Sequence, residues 1–164
     1  DVDFDLDNVW PYNFCIGEVQ CALGKALLKR VDSLIEKKTS RVTKFIKALK
    51  DFPELVFQKV PEGQTSSWHL LPARYEEKIT GKTNHDFIEL MYKAYSIKPA
   101  VQYYPLYRYP LFQKAGFGDA DCPVTDHFFN NMVSFPFHSW MPDDQFDYML
   151  ESTIKTLKRL SGEI

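Results

Sequence analysis

The chain has 164 residues, of which 45% are hydrophobic and 15% aromatic, and this length is sufficient for one compact domain with its own core. Its formal net charge of −2 at pH 7 excludes the general excess of lysine and arginine by which proteins bind nucleic acid or anionic membranes. We therefore expect a globular protein with neither kind of partner.

The first predicted element is a long helical region within residues 1–50. Apolar residues recur every three to four positions from Ile16 to Leu49, which is typical of one amphipathic helix or of two in line. At 1.5 Å per residue the region would be roughly 50 Å long. Since this exceeds the width of a small domain, we predict a bend near Thr39 and Ser40 and a neighbouring surface supplied by another domain or subunit.

Three short strands are predicted after this region. They are "LVFQKV" around Val56, "WHLLPARY" around Leu70 and "KPAVQYYPLY" around Val101, because β-branched and aromatic residues favour strands. Pro105 ends the third. A turn, "PEGQTSS", separates the first two, and the polar loop "EEKITGKTN" follows the second.

Helices are predicted in the remaining segments. Asn84 is the expected N-cap of "HDFIELMYKAY", "RYPLFQKAGFGDAD" reads as an irregular excursion with a short helix, and Pro123 begins a further helix. "VSFPFHSW" is expected to be extended, and the last helix lies in "MPDDQFDYMLESTIKTLKRL". The predicted fold is α+β: a long N-terminal helix, then, in residues 51–164, a short and mainly antiparallel sheet with helices packed on one face.

The sequence lacks the motifs of several enzyme classes. No G-x-G-x-x-G, P-loop or G-x-S-x-G is present, which disfavours dinucleotide, P-loop and nucleophile-elbow enzymes. The histidines lack metal-ligand spacing with one another or with cysteine, and we expect no metal site. They are His69, His85, His127 and His138.

Cysteine content and the N-terminal sequence favour a cytoplasmic protein. The three cysteines form no C-x-x-C pair and leave one thiol unpaired, which suits a reducing compartment. The acidic start "DVDFDLDN" lacks the basic residues of a signal peptide, and no apolar run reaches the roughly 20 residues that span a bilayer.

Two features invite a functional interpretation. The segment "YYPLYRYP" places Tyr103, Tyr107 and Arg108 among prolines, so it could bind hydroxyls, ring faces or phosphate, or could instead fill the core as an aromatic loop. Asn13 precedes the long helix, where an N-cap is its ordinary role. Gly17 in the first turn indicates either close packing or a later helix start.

Three segments together resemble sugar aminotransferases of the DegT/DnrJ/EryC1/StrS family. "PYNFCIGEVQCALG" is similar to the family's G-Y-N-Y-R-M-S-E-I-Q-A-A-L-G, "VQYYPLY" to V-H-Y-I-P-L-H, and "CPVTDHFFNNMVSFPFHSWMPDDQ" to F-P-x-A-E ending in L-S-L-P-x-x-P. They occur in family order over nearly the whole chain. The resemblance covers only the connecting helix and the small C-terminal domain of such enzymes.

The resemblance implies a fold type I enzyme that uses pyridoxal phosphate to move an amino group, usually from glutamate, to the keto group of a nucleotide-linked sugar. Family members are homodimers, which here implies contact through the long helix and the large domain. In them the Schiff-base lysine lies upstream of the Asn-containing motif. The chain alone is therefore not expected to bind the cofactor covalently or to be active.

The resemblance also implies roles for individual residues. Asn13 aligns with the asparagine that reaches the cofactor phosphate of the partner subunit. Gln102 and Tyr107 stand where the family has histidines, and with Tyr103 and Arg108 they are the expected substrate-binding residues. Cys15 replaces the motif arginine, a change that removes a partner for substrate phosphate.

Two other classes of function compete with this interpretation. One is a free-standing, non-catalytic module that binds a sugar or sugar nucleotide through the same loop. The other is a structural interaction domain, which a fully buried aromatic loop would favour.

Overall fold

The computed structural model describes residues 15–163. These residues divide into two compact units by their contacts. We name them the loop unit, residues 15–31 with Tyr103–Asn130, and the sheet unit, Asp32–Gln102 with residues 131–163. Each is described by itself.

The predicted long helical region contains two helices, α1 at Glu18–Leu28 and α2 at Val31–Ala48. The break lies at Lys29 and Arg30, where the Arg30 N–H donates to the Leu27 carbonyl at 2.9 Å. The predicted bend near Thr39 and Ser40 is wrong, because both residues lie inside α2. Threonine and serine cost a helix interior only a few tenths of a kcal/mol, and the packing of α2 on the core outweighs that cost.

Helix α1 begins at Glu18, which agrees with the interpretation of Gly17 as a sign of a later helix start. Gly17 has an extended backbone and is the N-cap of α1. Asn13 lies outside the described residues.

Three antiparallel strands form the sheet, in the order β1, β2, β3. They are β1 at Leu55–Phe57, β2 at Leu71–Tyr75 and β3 at Met132–Phe135. The first two are predicted correctly, whereas the segment near Val101 forms a single bridge between Ala100 and Ser134. The third strand instead comes from the stretch predicted to be extended, because all four residues of β3 are buried in the sheet unit.

Pro72 lies in the central strand, a place where proline ordinarily removes a sheet hydrogen bond. The Glu76 N–H donates to the Glu54 carbonyl at 2.8 Å, so even-numbered residues of this stretch point their backbone groups toward β1. β1 ends at Phe57, opposite Ala73. The missing donor of Pro72 therefore points past the end of β1, and no bond is lost.

Two helices follow β2, namely α3 at Glu77–Thr80 and α4 at Asn84–Tyr95. The predicted polar loop thus contains a helical turn. The N-cap of α4 is Thr83 rather than Asn84: the Thr83 hydroxyl accepts from the Asp86 N–H at 3.1 Å, and the Asp86 carboxylate accepts from the Thr83 N–H at 2.7 Å. This reciprocal pair is a capping box. Asn84 is buried and donates its amide to the Met132 carbonyl at 2.9 Å.

The loop unit contains short helical turns after α1. A 3₁₀ turn at Leu106–Arg108, α5 at Pro110–Phe112 and a π turn at Gln113–Phe117 precede α6 at Pro123–Asn130. The expected irregular excursion and the helix that begins at Pro123 are both confirmed.

The last helix, α7 at Asp143–Leu160, packs with α2 and α4 around aromatic residues of the sheet unit. The ring of Phe135 on β3 lies 4.9 Å from that of Phe45 on α2 and 6.1 Å from that of Phe87 on α4, and Phe45 also contacts Phe146 of α7 at 5.9 Å. The α+β fold with helices on one face of a short antiparallel sheet is confirmed.

A buried arginine ties α2 to the start of α7. Arg41 is only 7% exposed. Its Nη2 donates to the Met141 carbonyl at 2.6 Å and to the Asp143 carboxylate at 2.5 Å. Hydrogen bonds to a carboxylate and a carbonyl compensate the burial of its charge.

Candidate functional site

The tyrosine-rich loop of the loop unit is partly anchored and partly exposed. Pro105 is buried, and the ring of Tyr104 lies edge-on to Tyr109 at 5.0 Å and to Phe129 at 5.4 Å. Tyr103 is 66% exposed and Leu106 62% exposed. The loop is therefore not a buried plug, and the condition that would favour a purely structural domain is not met.

Tyr107 and Arg108 meet at one carboxylate on α6. The Tyr107 hydroxyl donates to Asp126 Oδ1 at 2.7 Å, and Arg108 Nη2 donates to the same oxygen. Arg108 Nη1 donates to Asn130 Oδ1 at 3.3 Å, and the guanidinium carbon lies 5.3 Å from the centre of the Phe129 ring. We name Tyr107, Arg108, Asp126, Phe129 and Asn130 the Asp126 cluster.

Helix geometry explains why the α6 members of this cluster converge. Residues three and four positions apart lie on one helix face, and Asp126, Phe129 and Asn130 have that spacing. The 3₁₀ turn at Leu106–Arg108 presents two consecutive side chains to that face. The cluster thus combines a cation, an anion, a phenol, an amide and a ring face.

The charges of the cluster shift two of its pKa values. Partial burial raises the pKa of the Tyr107 phenol, and the hydrogen bond to Asp126 and the charge of that carboxylate raise it further, while Arg108 opposes the change. The hydrogen bond from Tyr107 lowers the pKa of Asp126, as do the hydrogen bond and charge of Arg108. At neutral pH the cluster therefore holds a neutral phenol, a carboxylate and a guanidinium.

Gln102 belongs to the sheet unit, although it precedes Tyr103 in the chain. Its side-chain amide donates to Ser134 Oγ of β3 at 3.3 Å. The structure thus brings together Tyr107 and Arg108 of the predicted site residues, attaches Gln102 to β3 and leaves Tyr103 exposed. Asn13 lies outside the described residues.

Sequence reasoning missed Asp126 and Asn130, which hold the predicted residues in place. Their acidic and amide side chains were read as part of a helix, which they are. Their spacing in the sequence was a usable signal. Asp126 precedes Phe129 and Asn130 by three and four positions, which places three groups able to bind an arginine on one helix face. It could not show that Arg108 is their partner.

Metal-ligand clusters and membrane-spanning helices are both absent from residues 15–163. In that range, no three His, Cys, Asp or Glu side chains are grouped so that they could hold a metal ion. Nor is any helix there sufficiently long and apolar to span a bilayer.

Comparison with known proteins identifies the family. The sequence profile of the DegT/DnrJ/EryC1/StrS aminotransferase family matches residues 4–153. The chain belongs to this family. Its enzymes depend on pyridoxal phosphate, and solved structures of the same fold include PLP and PMP forms.

Individual relatives include enzymes of sugar biosynthesis. The spore coat polysaccharide biosynthesis protein SpsC of Bacillus subtilis is 27% identical over 148 residues, which are 90% of this chain and 38% of that protein. The UDP-4-amino-4,6-dideoxy-N-acetyl-beta-L-altrosamine transaminase of Helicobacter pylori is 26% identical over 93% of this chain and 40% of its own length. The chain therefore spans about two-fifths of these relatives' length.

A solved structure is also similar to most of this chain, and the match again covers a smaller share of the other protein. Helicobacter pylori PseC, an aminotransferase of pseudaminic acid biosynthesis, is 26% identical to the chain and superposes with a TM-score of 0.74. The match covers 90% of this chain and 39% of PseC. The family fold assigned from the sequence is therefore confirmed.

The lysines of the chain do not fit a covalently held pyridoxal phosphate. A lysine that forms a Schiff base needs an enclosed pocket that lowers its pKa. All lysines of the sequence lie within the described residues, and none is buried. Lys38, which is half-buried, donates to the Trp68 carbonyl at 2.8 Å.

Proposed function

We propose that the chain is the C-terminal portion of a pyridoxal-phosphate-dependent aminotransferase that acts on a nucleotide-linked keto sugar. One observation carries the proposal: the chain belongs to an aminotransferase family, yet none of its lysines is buried. The Schiff-base lysine then comes from the large domain. The names of the relatives, which include a UDP-sugar transaminase, support the substrate class.

The contribution of this portion is binding and orientation. Tyr103, Tyr107 and Arg108, with Gln102, supply hydrogen bonds to the sugar, while Asn13 contacts the cofactor phosphate across the dimer. Holding the substrate in one orientation reduces the entropic part of the barrier. In this arrangement residues 1–50 are the connecting helical region and residues 51–164 the small domain.

The surface of α1 supports a partner at this region. Its apolar residues are strongly exposed, at 79% for Val19, 60% for Leu23 and 69% for Leu28, and no residue of α1 is buried. Apolar surface of this kind ordinarily marks an interface. The occupant we propose is the rest of the enzyme and its dimer partner. Free cysteines at Cys15 and Cys21 support a cytoplasmic enzyme.

Borohydride reduction tests whether the Schiff-base lysine lies outside this chain. The chain is mixed with pyridoxal phosphate and reduced, and the adducts are mapped by mass spectrometry. We expect scattered substoichiometric labelling and no transaminase turnover, because no lysine is enclosed. One stoichiometric lysine together with turnover would contradict the proposal. The longer protein encoded in the same reading frame is the positive control.

Asn13 is tested in that longer protein. Loss of a charge-assisted hydrogen bond worth roughly 1.5–3 kcal/mol lowers cofactor affinity about tenfold or more, so Asn13→Ala should release the cofactor more readily. Asn13→Ser is too short to reach the phosphate, and it should behave like Asn13→Ala in cofactor titrations. Unchanged cofactor affinity in both variants would contradict the phosphate role of Asn13.

The exposed Tyr103 favours one alternative, a free-standing non-catalytic module that binds a sugar or sugar nucleotide. Such a module needs no lysine. Gene context separates the two: a lysine-bearing aminotransferase domain in the same reading frame supports the enzyme, and a start codon immediately before Asp1 supports the module.

A further inference from the structure

We propose that Asp126 is a positioning residue that neutralises Arg108 and orients Tyr107, so that the tyrosine-rich loop recognises uncharged hydroxyl groups of the sugar rather than its phosphate. This inference rests on the proposed function, since it concerns the same site and narrows the chemistry it binds.

The guanidinium of Arg108 is already engaged by its neighbours. Its two terminal nitrogens already donate to Asp126 and to Asn130, and its face lies over Phe129. A guanidinium binds phosphate best when both terminal nitrogens are available for two parallel bonds. Each of these nitrogens keeps a second N–H, but a phosphate that binds both must share Nη2 with the carboxylate.

The charge of the Asp126 cluster also disfavours a phosphate. Asp126 is ionised at neutral pH, as an ordinary carboxyl is, and Tyr107 and Arg108 lower its pKa further. Among the groups that act on the Tyr107 phenol, Arg108 is the cation, and the Asp126 carboxylate opposes it. A phosphate placed beside this cluster meets a carboxylate at close range, and repulsion at that distance offsets the attraction of a single guanidinium.

The Asp126 cluster leaves both a hydrogen-bond acceptor and hydrogen-bond donors to a ligand. The Tyr107 proton is committed to Asp126, so the phenol oxygen offers its lone pairs and acts as an acceptor. Arg108 retains N–H groups beyond those committed to Asp126 and Asn130. A sugar hydroxyl both donates and accepts, and it complements this combination. The Arg108 and Asp126 side chains are 28% and 36% exposed, so a ligand can reach them.

The test compares one sugar with and without phosphate. Binding of methyl N-acetylglucosaminide and of N-acetylglucosamine 1-phosphate to the 164-residue chain is followed by NMR of the tyrosine rings. We expect the glycoside to bind at least as tightly as the phosphate ester. Tenfold tighter binding of the phosphate ester, or no binding of the glycoside, would overturn the inference.

Substitutions then assign the effect to Asp126. Asp126→Asn frees the Arg108 charge and should improve phosphate-ester binding relative to the glycoside by about threefold to tenfold. Asp121→Asn removes the same charge from an exposed position of the loop unit and should leave the ratio unchanged, while Asp126→Glu should restore it. An unchanged ratio in Asp126→Asn would overturn the inference.

The pKa of Tyr107 distinguishes the positioning role of Asp126 from a merely structural one, because a structural role would not lower this pKa when Asp126 is replaced. Since hydrogen bonding to Asp126 and its charge help to raise the Tyr107 pKa, Asp126→Asn should lower that pKa toward the usual value near 10, and Asp121→Asn should not. A Tyr107 pKa that is identical in Asp126→Asn and the wild type would count against the positioning role. This test does not measure the transaminase activity of the longer protein. Its result is therefore independent of whether the proposed function is correct.

Discussion

The sheet unit and the loop unit differ in how many side chains each of them buries. In the sheet unit α2, α4 and α7 bury a continuous cluster of apolar side chains, among them Phe45 and Phe87, which have no exposed surface. Among the described residues of the loop unit, only Pro105 is buried. The difference separates a self-supporting core from a surface that, under the proposed function, a partner and a substrate complete.

The two N-terminal helices show the contrast in one stretch of sequence. Both have apolar residues at helical spacing, yet Val42 of α2 is 1% exposed and Val19 of α1 is 79% exposed. Periodicity therefore identifies a helix and its apolar face. It does not say whether the same chain covers that face.

The largest expected effect is in the aromatic centre of the sheet unit. Phe45 contacts the rings of Phe57, Phe135 and Phe146. Phe45→Ala should lower the free energy of unfolding by about 3–5 kcal/mol, because it leaves a cavity that these rings cannot close. Urea denaturation measures the loss. Val124→Ala in the loop unit, at a site 82% exposed, is the control, and equal losses would abolish the contrast between the units.

An intermediate effect is expected at the start of α4. Thr83→Ala removes the hydroxyl that accepts from the Asp86 N–H and should cost about 1 kcal/mol. Thr83→Ser keeps the hydroxyl and should retain most of the stability. Comparison of thermal unfolding of the two variants checks the assignment; if the Ser variant were as unstable as the Ala variant, the capping box would not be the cause.

The smallest effect on unfolding, but a clear one on association, is expected in α1. Val19→Gln with Leu23→Gln should change the free energy of unfolding by less than about 0.5 kcal/mol, because both residues are exposed. The same change should weaken self-association of the chain, which sedimentation over a concentration series measures. Gln20→Ala is the matched control. A wild-type chain that stays monomeric at every concentration would contradict an interface on α1.

Sequence reasoning succeeded where one local rule decides the outcome. Two of the three strands, the helix that begins at Pro123 and the last helix follow directly from residue propensity and proline position. The family and its fold followed from three motifs in order. In the site, Tyr107 and Arg108 lie together as neighbours in a proline-bounded turn, and their role in substrate binding stays a prediction.

The errors concern competition between segments. The stretch at Val101 has strand-forming residues, but β3 occupies the position beside β2 because all of its side chains are buried there. Thr83 displaced Asn84 as the N-cap, since only Thr83 has an acidic residue three positions later to complete the reciprocal bonds. Asp126 stayed unrecognised because its partners lie 18 and 19 residues away in the sequence.

The single bridge between Ala100 and Ser134 also protects the outer edge of the sheet. Ala100 and Ser134 exchange both backbone hydrogen bonds, at 2.9 and 2.8 Å, which removes a donor and an acceptor from the edge that β3 would otherwise present. The opposite edge is β1, with only three residues. Short or occupied edges do not recruit strands from other molecules. Growth of the sheet into a fibril is thereby disfavoured, so the chain can expose apolar surface on α1 without exposing a template for aggregation.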